Sequence, residues 1–216
     1  MKEQITVAQL IGESDRPPQF SDRGSLLNSK DSPLTSTENS QLAFAAEILS
    51  DPELTNLIDS GCVTFAMIKP QVGGVEDLPD NDDEAAERIK NEIGRRRIML
   101  DIPVIFTRED VEEFYGHVKE ALGEEKKHIW DSMVEYSTSA PMTALLLFFP
   151  EGNAVNNWRQ IMGPTWPEKA KAEAPDSIRA KYSQEPPRNI VHGSDSIENV
   201  KKELGIIRNN ICSYNL

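Results

Sequence analysis

Val63-Thr64-Phe65-Ala66-Met67-Ile68-Lys69-Pro70 decides the fold, because an otherwise apolar strand there runs directly into a Lys-Pro corner. Downstream the hydrophobic period changes. Asp83 to Arg96 reads as a helix with Ala85, Ala86, Ile89 and Ile93 on one face, and Ile98 to Phe106 reads as a second strand. Pro103 cannot donate to a ladder, so that strand requires an edge position or a bulge. Thr107-Arg108-Glu109-Asp110 is a capping box with Asp in place of Glu, opening a helix through Val111, Phe114, Tyr115 and Val118.

A further helix carries Ile129, Trp130, Met133 and Val134, and the continuous apolar run Met142 to Phe149 suits a central strand. Ala154, Val155, Trp158, Ile161 and Met162 mark another helix. A Pro-rich loop, a short strand into His192 and a last helix from about Ser196 complete the chain. The order β-α-β followed by β-α-β predicts an α/β (α+β) fold, a ferredoxin-like split β-α-β sandwich with an antiparallel four-stranded sheet and extra helices.

Upstream of this domain, residues 1–40 are rich in Ser, Pro, Asp, Asn and Gln without periodicity, and are expected to form a disordered tail. Residues 41–60 read as a short helical extension: Leu42, Ala45, Ala46 and Leu49 are helically spaced, and Asp51-Pro52 caps a second helix with Leu54, Leu57 and Ile58. This extension would dock on the main domain or on a neighbouring subunit. The main domain is expected over 61–208, and a C-terminal tail over 209–216.

The 216 residues carry a formal net charge of −13, which disfavours nucleic acid and anionic membrane as partners. Any anion site must be a local cationic pocket. No apolar run approaches the roughly 20 residues of a membrane span, and Met1-Lys2-Glu3-Gln4 lacks the form of a signal peptide, so a cytoplasmic location is expected. Cys62 and Cys212 have neither CxxC spacing nor a nearby His pattern, and read as ordinary thiols.

Chemistry concentrates at Arg188-Asn189-Ile190-Val191-His192-Gly193-Ser194-Asp195-Ser196. An imidazole delivered to a Gly-Ser turn that opens a helix can accept a phosphoryl group while backbone N–H groups attract its oxygens. Lys69 at the strand end supplies a point charge for phosphate, and the guanidinium forks of Arg159 and Arg179 suit polyphosphate oxygens. Glu203 on the last helix can hold an imidazole N–H and fix its tautomer. Asn189 reaches a ribose hydroxyl or closes a turn; Tyr115 and Trp130 suit either the core or a base pocket.

In their order and spacing, Thr64–Pro70, Ser139–Leu145, Gly152-Asn153-Ala154-Val155, Arg159, Gly163-Pro164-Thr165-Trp166-Pro167, Ala174–Arg179 and Asn189–Ser196 resemble the nucleoside diphosphate kinases, from about Val63 to Ile207. The resemblance implies that His192 takes the γ-phosphate of a nucleoside triphosphate and passes it to a diphosphate by a ping-pong mechanism. It places Lys69, Tyr115, Ile129, Arg159, Thr165, Arg179 and Asn189 at nucleotide-contacting positions, and Ser194 and Glu203 in support of the histidine. It further implies Mg²⁺ held mainly by nucleotide phosphates and water, ATP, GTP and nucleoside diphosphates as partners, and a homo-oligomer.

Two departures from the family pattern bear on activity. Lys69-Pro70-Gln71-Val72-Gly73-Gly74 and an acidic insertion replace the usual loop, and Ile129 falls where the family stacks a Phe on the base, unless a slipped register brings Trp130 there. Loss of that platform costs about 1–3 kcal/mol of stacking. The alternative reading is a catalytically weak nucleotide-binding or scaffold module on the same fold.

Overall fold

The computed structural model describes Val7 and residues 35–70, 75, 78–80, 82–185 and 187–214. Four strands, β1 (Val63–Ile68), β2 (Ile98–Val104), β3 (Met142–Phe148) and β4 (Val191–Gly193), form one sheet in the order β2-β3-β1-β4. Every pairing is antiparallel, so the sheet expected from the sequence is present. β3, the apolar run, lies inside the sheet. β2 lies at an edge, where Pro103 leaves no ladder bond unmade on the outer side, and its register shifts between Ile98 and Leu100.

The helices are α1 (Ser36–Leu49), α2 (Pro52–Asp59), α3 (Asp82–Ile93), α4 (Arg108–Leu122), α5 (Lys127–Thr138), α6 (Ala154–Met162), α7 (Pro167–Glu173), α8 (Ile178–Tyr182) and α9 (Ile197–Cys212). Alternation along β1 sends Phe65 and Met67 into one core and Ala66 and Ile68 into the other. The first core gathers α1, α2, α4, α5 and α9; the second gathers α3, α6 and α8. Lys90 of α3 is buried and ion-paired to Glu87 and to Asp101 of β2, which ties that helix to the edge strand.

Local chemistry sets the helix ends. Thr107 accepts from Asp110 N at 3.2 Å while Asp110 Oδ2 accepts from Thr107 N at 2.7 Å, closing the capping box of α4. Thr35 and Glu38 do the same for α1, which therefore starts at Ser36, ahead of the boundary at residue 41. Asp51 caps α2, and its second carboxylate oxygen accepts from Val7 N at 3.4 Å. Apart from Val7 and residues 35–40, the tail expected over 1–40 lies outside the described residues.

Leu42, Ala45 and Ile48 of α1 are buried in the same core as Val200, Ile207 and Ile211 of α9, so the extension docks on its own domain. At the other end, α9 runs on to Cys212 in place of the tail expected from residue 209. Ile207, Ile211 and Tyr214 continue one apolar stripe at helical spacing, and all three are buried. Cys62 is half-buried, Cys212 is exposed, and both are free thiols. Among the described residues no helix is long and apolar enough to cross a membrane.

Truncating Ile48 tests whether α1 belongs to the folding unit. Ile48→Ala is expected to lower unfolding free energy by about 2–5 kcal/mol in a urea titration. A change below 0.5 kcal/mol would mean that α1 is an independent appendage.

Candidate active site

The ladder between β1 and β4 pairs Ala66, Met67 and Ile68 with Gly193, His192 and Val191. Beyond the last pair, Lys69 N donates to Ile190 O at 2.8 Å, and Ser194 N donates to Phe65 O at 3.3 Å at the other end. Because His192 stands opposite Met67, its ring enters the core face that carries Phe65. There it meets Phe114 edge-on at 5.0 Å and Tyr115 edge-on at 5.7 Å, with Phe65 at 6.0 Å.

A strained turn delivers these groups. Val191 N donates to Asn189 O at 2.7 Å across Ile190, which has φ +66°, a γ-turn conformation rare for a β-branched residue. Such strain costs about 1–3 kcal/mol and persists where surrounding contacts over-determine it. The turn sets the Asn189 side chain against Lys69, whose Nζ donates to Asn189 Oδ1 at 2.9 Å. Both side chains are buried. The ammonium also lies 5.5 Å from the Tyr115 ring and 6.0 Å from that of Tyr136, whose hydroxyl donates to Pro70 O at 2.8 Å and so fixes the corner.

α9 begins at the Ser196 cap and carries Glu203 two turns on, facing back to the imidazole. One carboxylate oxygen lies 3.1 Å from His192 Nε2 and the other accepts from Ser194 Oγ at 2.5 Å. The contact to Nε2 is of ion-pair distance without hydrogen-bond alignment, and Nε2 itself is buried. Nδ1 is thus the nitrogen left for an incoming group. Burial holds the imidazole below its ordinary pKa, opposed by Glu203 and assisted by the charges of Lys69 and Arg179. It is neutral at pH 7.

Arg179, on α8, donates from Nη1 to Gly163 O at 3.0 Å and from Nη2 to Val191 O at 2.8 Å, which locks its fork beside β4. Thr165 Oγ1 lies 3.4 Å from Nη1. Burial first, then the positive charge of Arg159, lowers the guanidinium pKa to about 10, so the exposed Arg159 shares the region. α8 is moored to α3, since Lys181 and Tyr182 donate to the two oxygens of Glu92 at 2.8 and 3.0 Å. Gly163, at φ +82°, allows this close approach, because a Cβ there would stand 2.2 Å from Ser177 Oγ.

Lys69 is pushed down to about 7 by burial and by the charge of Arg179. Tyr115 is held protonated well above its usual value, by burial first and then by Glu203. Tyr115 Oη and Arg179 Nε are both buried without a hydrogen-bond partner, while His192 Nε2 faces Glu203. Two such donors at one cationic site, in a chain of net charge −13, fit an anion rich in oxygen acceptors.

The structure thus brings together Lys69, Tyr115, Arg179, Asn189, His192, Ser194 and Glu203, with Thr165 and Arg159 at the rim. Ile129 stands apart on α5, 39% exposed, while Trp130 is 3% exposed and belongs to the core. A slipped register that would make Trp130 the base platform does not occur. Sequence reasoning missed the roles of Phe65, Phe114, Tyr136 and Trp158, whose Nε1 donates to His192 O at 3.2 Å. Phe65, Phe114 and Trp158 looked like core at helical or strand spacing, Tyr136 carried no local signal, and only the tertiary packing reveals what each touches.

Residues 63–210 match the family model for nucleoside diphosphate kinase. A nucleoside diphosphate kinase from Deinococcus radiodurans is 34% identical over 148 residues, covering 66% of this chain and 91% of that protein. The "Thioredoxin domain-containing protein 3 homolog" of Heliocidaris crassispina is 36% identical over 143 residues, covering 66% of this chain. The chain spans 15% of that relative, and 20% of similar proteins from Xenopus laevis and Ciona intestinalis. Among solved structures, the Aquifex aeolicus nucleoside diphosphate kinase superposes with a TM-score of 0.51 at 26% identity, covering 67% of this chain and 93% of the other.

A Cβ at Gly193 would stand 2.2 Å from Trp158 Nε1, which must then release His192 O. Gly193→Ala is expected to destabilise the fold by about 1–3 kcal/mol in denaturant titration. Unchanged stability would mean that the indole is not packed against the strand.

Proposed function

We infer the reaction from lineage and geometry together: the chain belongs to the nucleoside diphosphate kinase family. We propose that it moves the γ-phosphoryl group of a nucleoside triphosphate to His192, and from there to a nucleoside diphosphate. The observation that carries this reading is the Glu203 carboxylate 3.1 Å from a buried Nε2, which leaves the Nδ1 lone pair for phosphorus. Nδ1 forms a bond to the γ-phosphorus as the bond from phosphorus to the β,γ-bridging oxygen breaks, and the diphosphate leaves with that electron pair. A terminal oxygen of the second diphosphate then attacks the same phosphorus and the P–N bond breaks, restoring the neutral imidazole.

The chain supplies position and field in both halves. The imidazole gains positive charge as it accepts phosphorus, and Glu203, held by Ser194, is placed to stabilise it. Lys69, Arg159, Thr165 and Arg179 would hold phosphate oxygens, and Lys69 with Asn189 would meet the ribose. The Tyr115 hydroxyl is a donor for a phosphoryl oxygen, and exposed Ile129 offers an aliphatic surface to a base. Among the described residues no three His, Cys, Asp or Glu side chains converge on a point. The reading therefore treats Mg²⁺ as arriving with the nucleotide, held by phosphates and water. Self-association and work on cytoplasmic nucleotides belong to the same proposal by family analogy.

A second reading is a nucleotide-binding module of low turnover. It is favoured by the multidomain relatives, of which this chain spans 15–20%, and by the missing aromatic at Ile129.

With γ-labelled ATP and Mg²⁺, the wild type is expected to take up acid-labile label and release it to GDP, while His192→Ala takes up none and keeps nucleotide affinity within about 3-fold, an energy difference under 1 kcal/mol. Turnover retained in that variant would refute the mechanism; wild-type binding without label would favour the low-turnover module.

Proton linkage tests Lys69. Its pKa is about 7 in the free protein, and a bound phosphate raises it, so binding takes up a proton. Affinity for a diphosphate should fall as pH rises from 7 to 9, with proton uptake visible by calorimetry in buffers of different ionisation enthalpy. Lys69→Gln should abolish the uptake; uptake unchanged in that variant would assign it elsewhere.

A further inference from the structure

Arg179 sits on a helix that cannot hold itself. α8 has five residues, too few to be stable as a helix in isolation, so its position is set by what it packs against. At its start Ser177 Oγ accepts from Ala180 N at 3.3 Å. Ile178 and Tyr182, one turn apart on one face, are buried in the second core with Ile89 and Ile93 of α3. Glu92, next to Ile93 on α3, closes the far end. Its Oε2 accepts from Lys181 Nζ at 2.8 Å and its Oε1 from Tyr182 Oη at 3.0 Å, one donor to each oxygen. We propose that Glu92 is a positioning residue for nucleotide binding: by grasping Lys181 and Tyr182 it fixes α8 where the Arg179 guanidinium can meet a phosphate. The proposal rests on the reading that Arg179 holds phosphate oxygens, and adds to it the group that sets how well it does so.

The bonding of the guanidinium makes it sensitive to the place of its helix. Nη1 already donates to Gly163 O and Nη2 to Val191 O, so the plane of the fork is fixed by two backbone carbonyls. Nε, buried and unpartnered, is the donor left with no protein acceptor. A side chain tied in this way cannot swing to recover a contact when its backbone shifts. It moves with α8, and a displacement of about 1 Å is enough to spoil a directed contact to a phosphate oxygen.

Electrostatics favours the clasp at neutral pH. The Lys181 hydrogen bond holds the Glu92 carboxyl below its ordinary pKa, and Glu92 in turn raises that of the Lys181 ammonium, so both partners are charged. Their side chains are 32% and 36% exposed, which screens the ion pair and bounds its effect. The Tyr182 bond is better sheltered, since that residue is buried against α3. Lys181 and Tyr182 follow Arg179 by two and three residues on the same short helix, so the hold acts within one turn of the guanidinium.

The test measures ADP affinity with Mg²⁺ by calorimetry on the full chain, beside phosphoenzyme formation from ATP. Glu92→Ala is expected to weaken ADP binding by about 5-fold, the upper end for a partly exposed ion pair. Coupling separates positioning from a general loss of stability. In an Arg179→Lys background, where the fork is already gone, Glu92→Ala should change ADP affinity by less than about 1.5-fold. Should Arg179→Lys fail to fold, the clasp can be opened from its other side: Lys181→Met with Tyr182→Phe should reproduce the 5-fold loss, and Glu92→Ala added to that pair should cost nothing more. Circular dichroism checks that each variant folds. Unchanged ADP affinity in folded Glu92→Ala, with normal phosphoenzyme formation, would overturn the clasp and leave the kinase reading standing. A loss of the same size with and without the Arg179 fork would also overturn it. The coupled loss in a protein that forms no phosphoenzyme would support the clasp while refuting the catalytic reading, and a wild type that binds no ADP would overturn both.

Discussion

The antiparallel pairing of Ala66, Met67 and Ile68 with Gly193, His192 and Val191 is the constraint on which the site depends. A slip of one residue would turn His192 to the opposite face of the sheet, away from Phe114, Tyr115 and Glu203. Three features hold the register. Gly193 admits the Trp158 indole, the positive φ of Ile190 bends the chain into the short strand, and Arg179 pins Val191 O. Strain at Ile190 is thus offset by packing and hydrogen bonds that the turn makes possible.

The same pairing concentrates positive charge where burial opposes it. After burial, the charge of Arg179 depresses Lys69 and that of Arg159 depresses Arg179, in a protein that is acidic overall. Carbonyl oxygens of Gly163 and Val191 and the Asn189 amide oxygen solvate these cations, but none carries a full negative charge. A phosphate would supply acceptors for the buried Tyr115 hydroxyl and Arg179 Nε donors. The lowered pKa values of Lys69, Arg179 and the imidazole share one first cause, burial.

Much of this was legible in the residues. The Thr107 and Asp110 box, the Asp51-Pro52 cap, Pro103 at a sheet edge and the apolar β3 run each follow from local chemistry, and they assemble as that chemistry requires. The strand into His192 could be read because an apolar pair precedes a Gly-Ser turn. Tertiary packing supplied the remainder. Nothing local says that α1 folds onto α9, or that Ile211 and Tyr214 extend the core past residue 208. Trp130 and Ile129 are adjacent in sequence, and helix phase alone sends one inward and the other to solvent. Likewise nothing local marks Tyr136, whose hydroxyl donates to Pro70 O, 66 residues away.

The central claim is that Glu203, by covering Nε2, dictates which imidazole nitrogen reacts. The most direct measurement is to phosphorylate ¹⁵N-histidine-labelled protein with Mg²⁺ and ATP and to identify the phosphorus-bearing nitrogen by NMR. Phosphorus on Nδ1 of His192, with Nε2 protonated, is the predicted result. Phosphorus on Nε2, or on any other residue, would contradict the account.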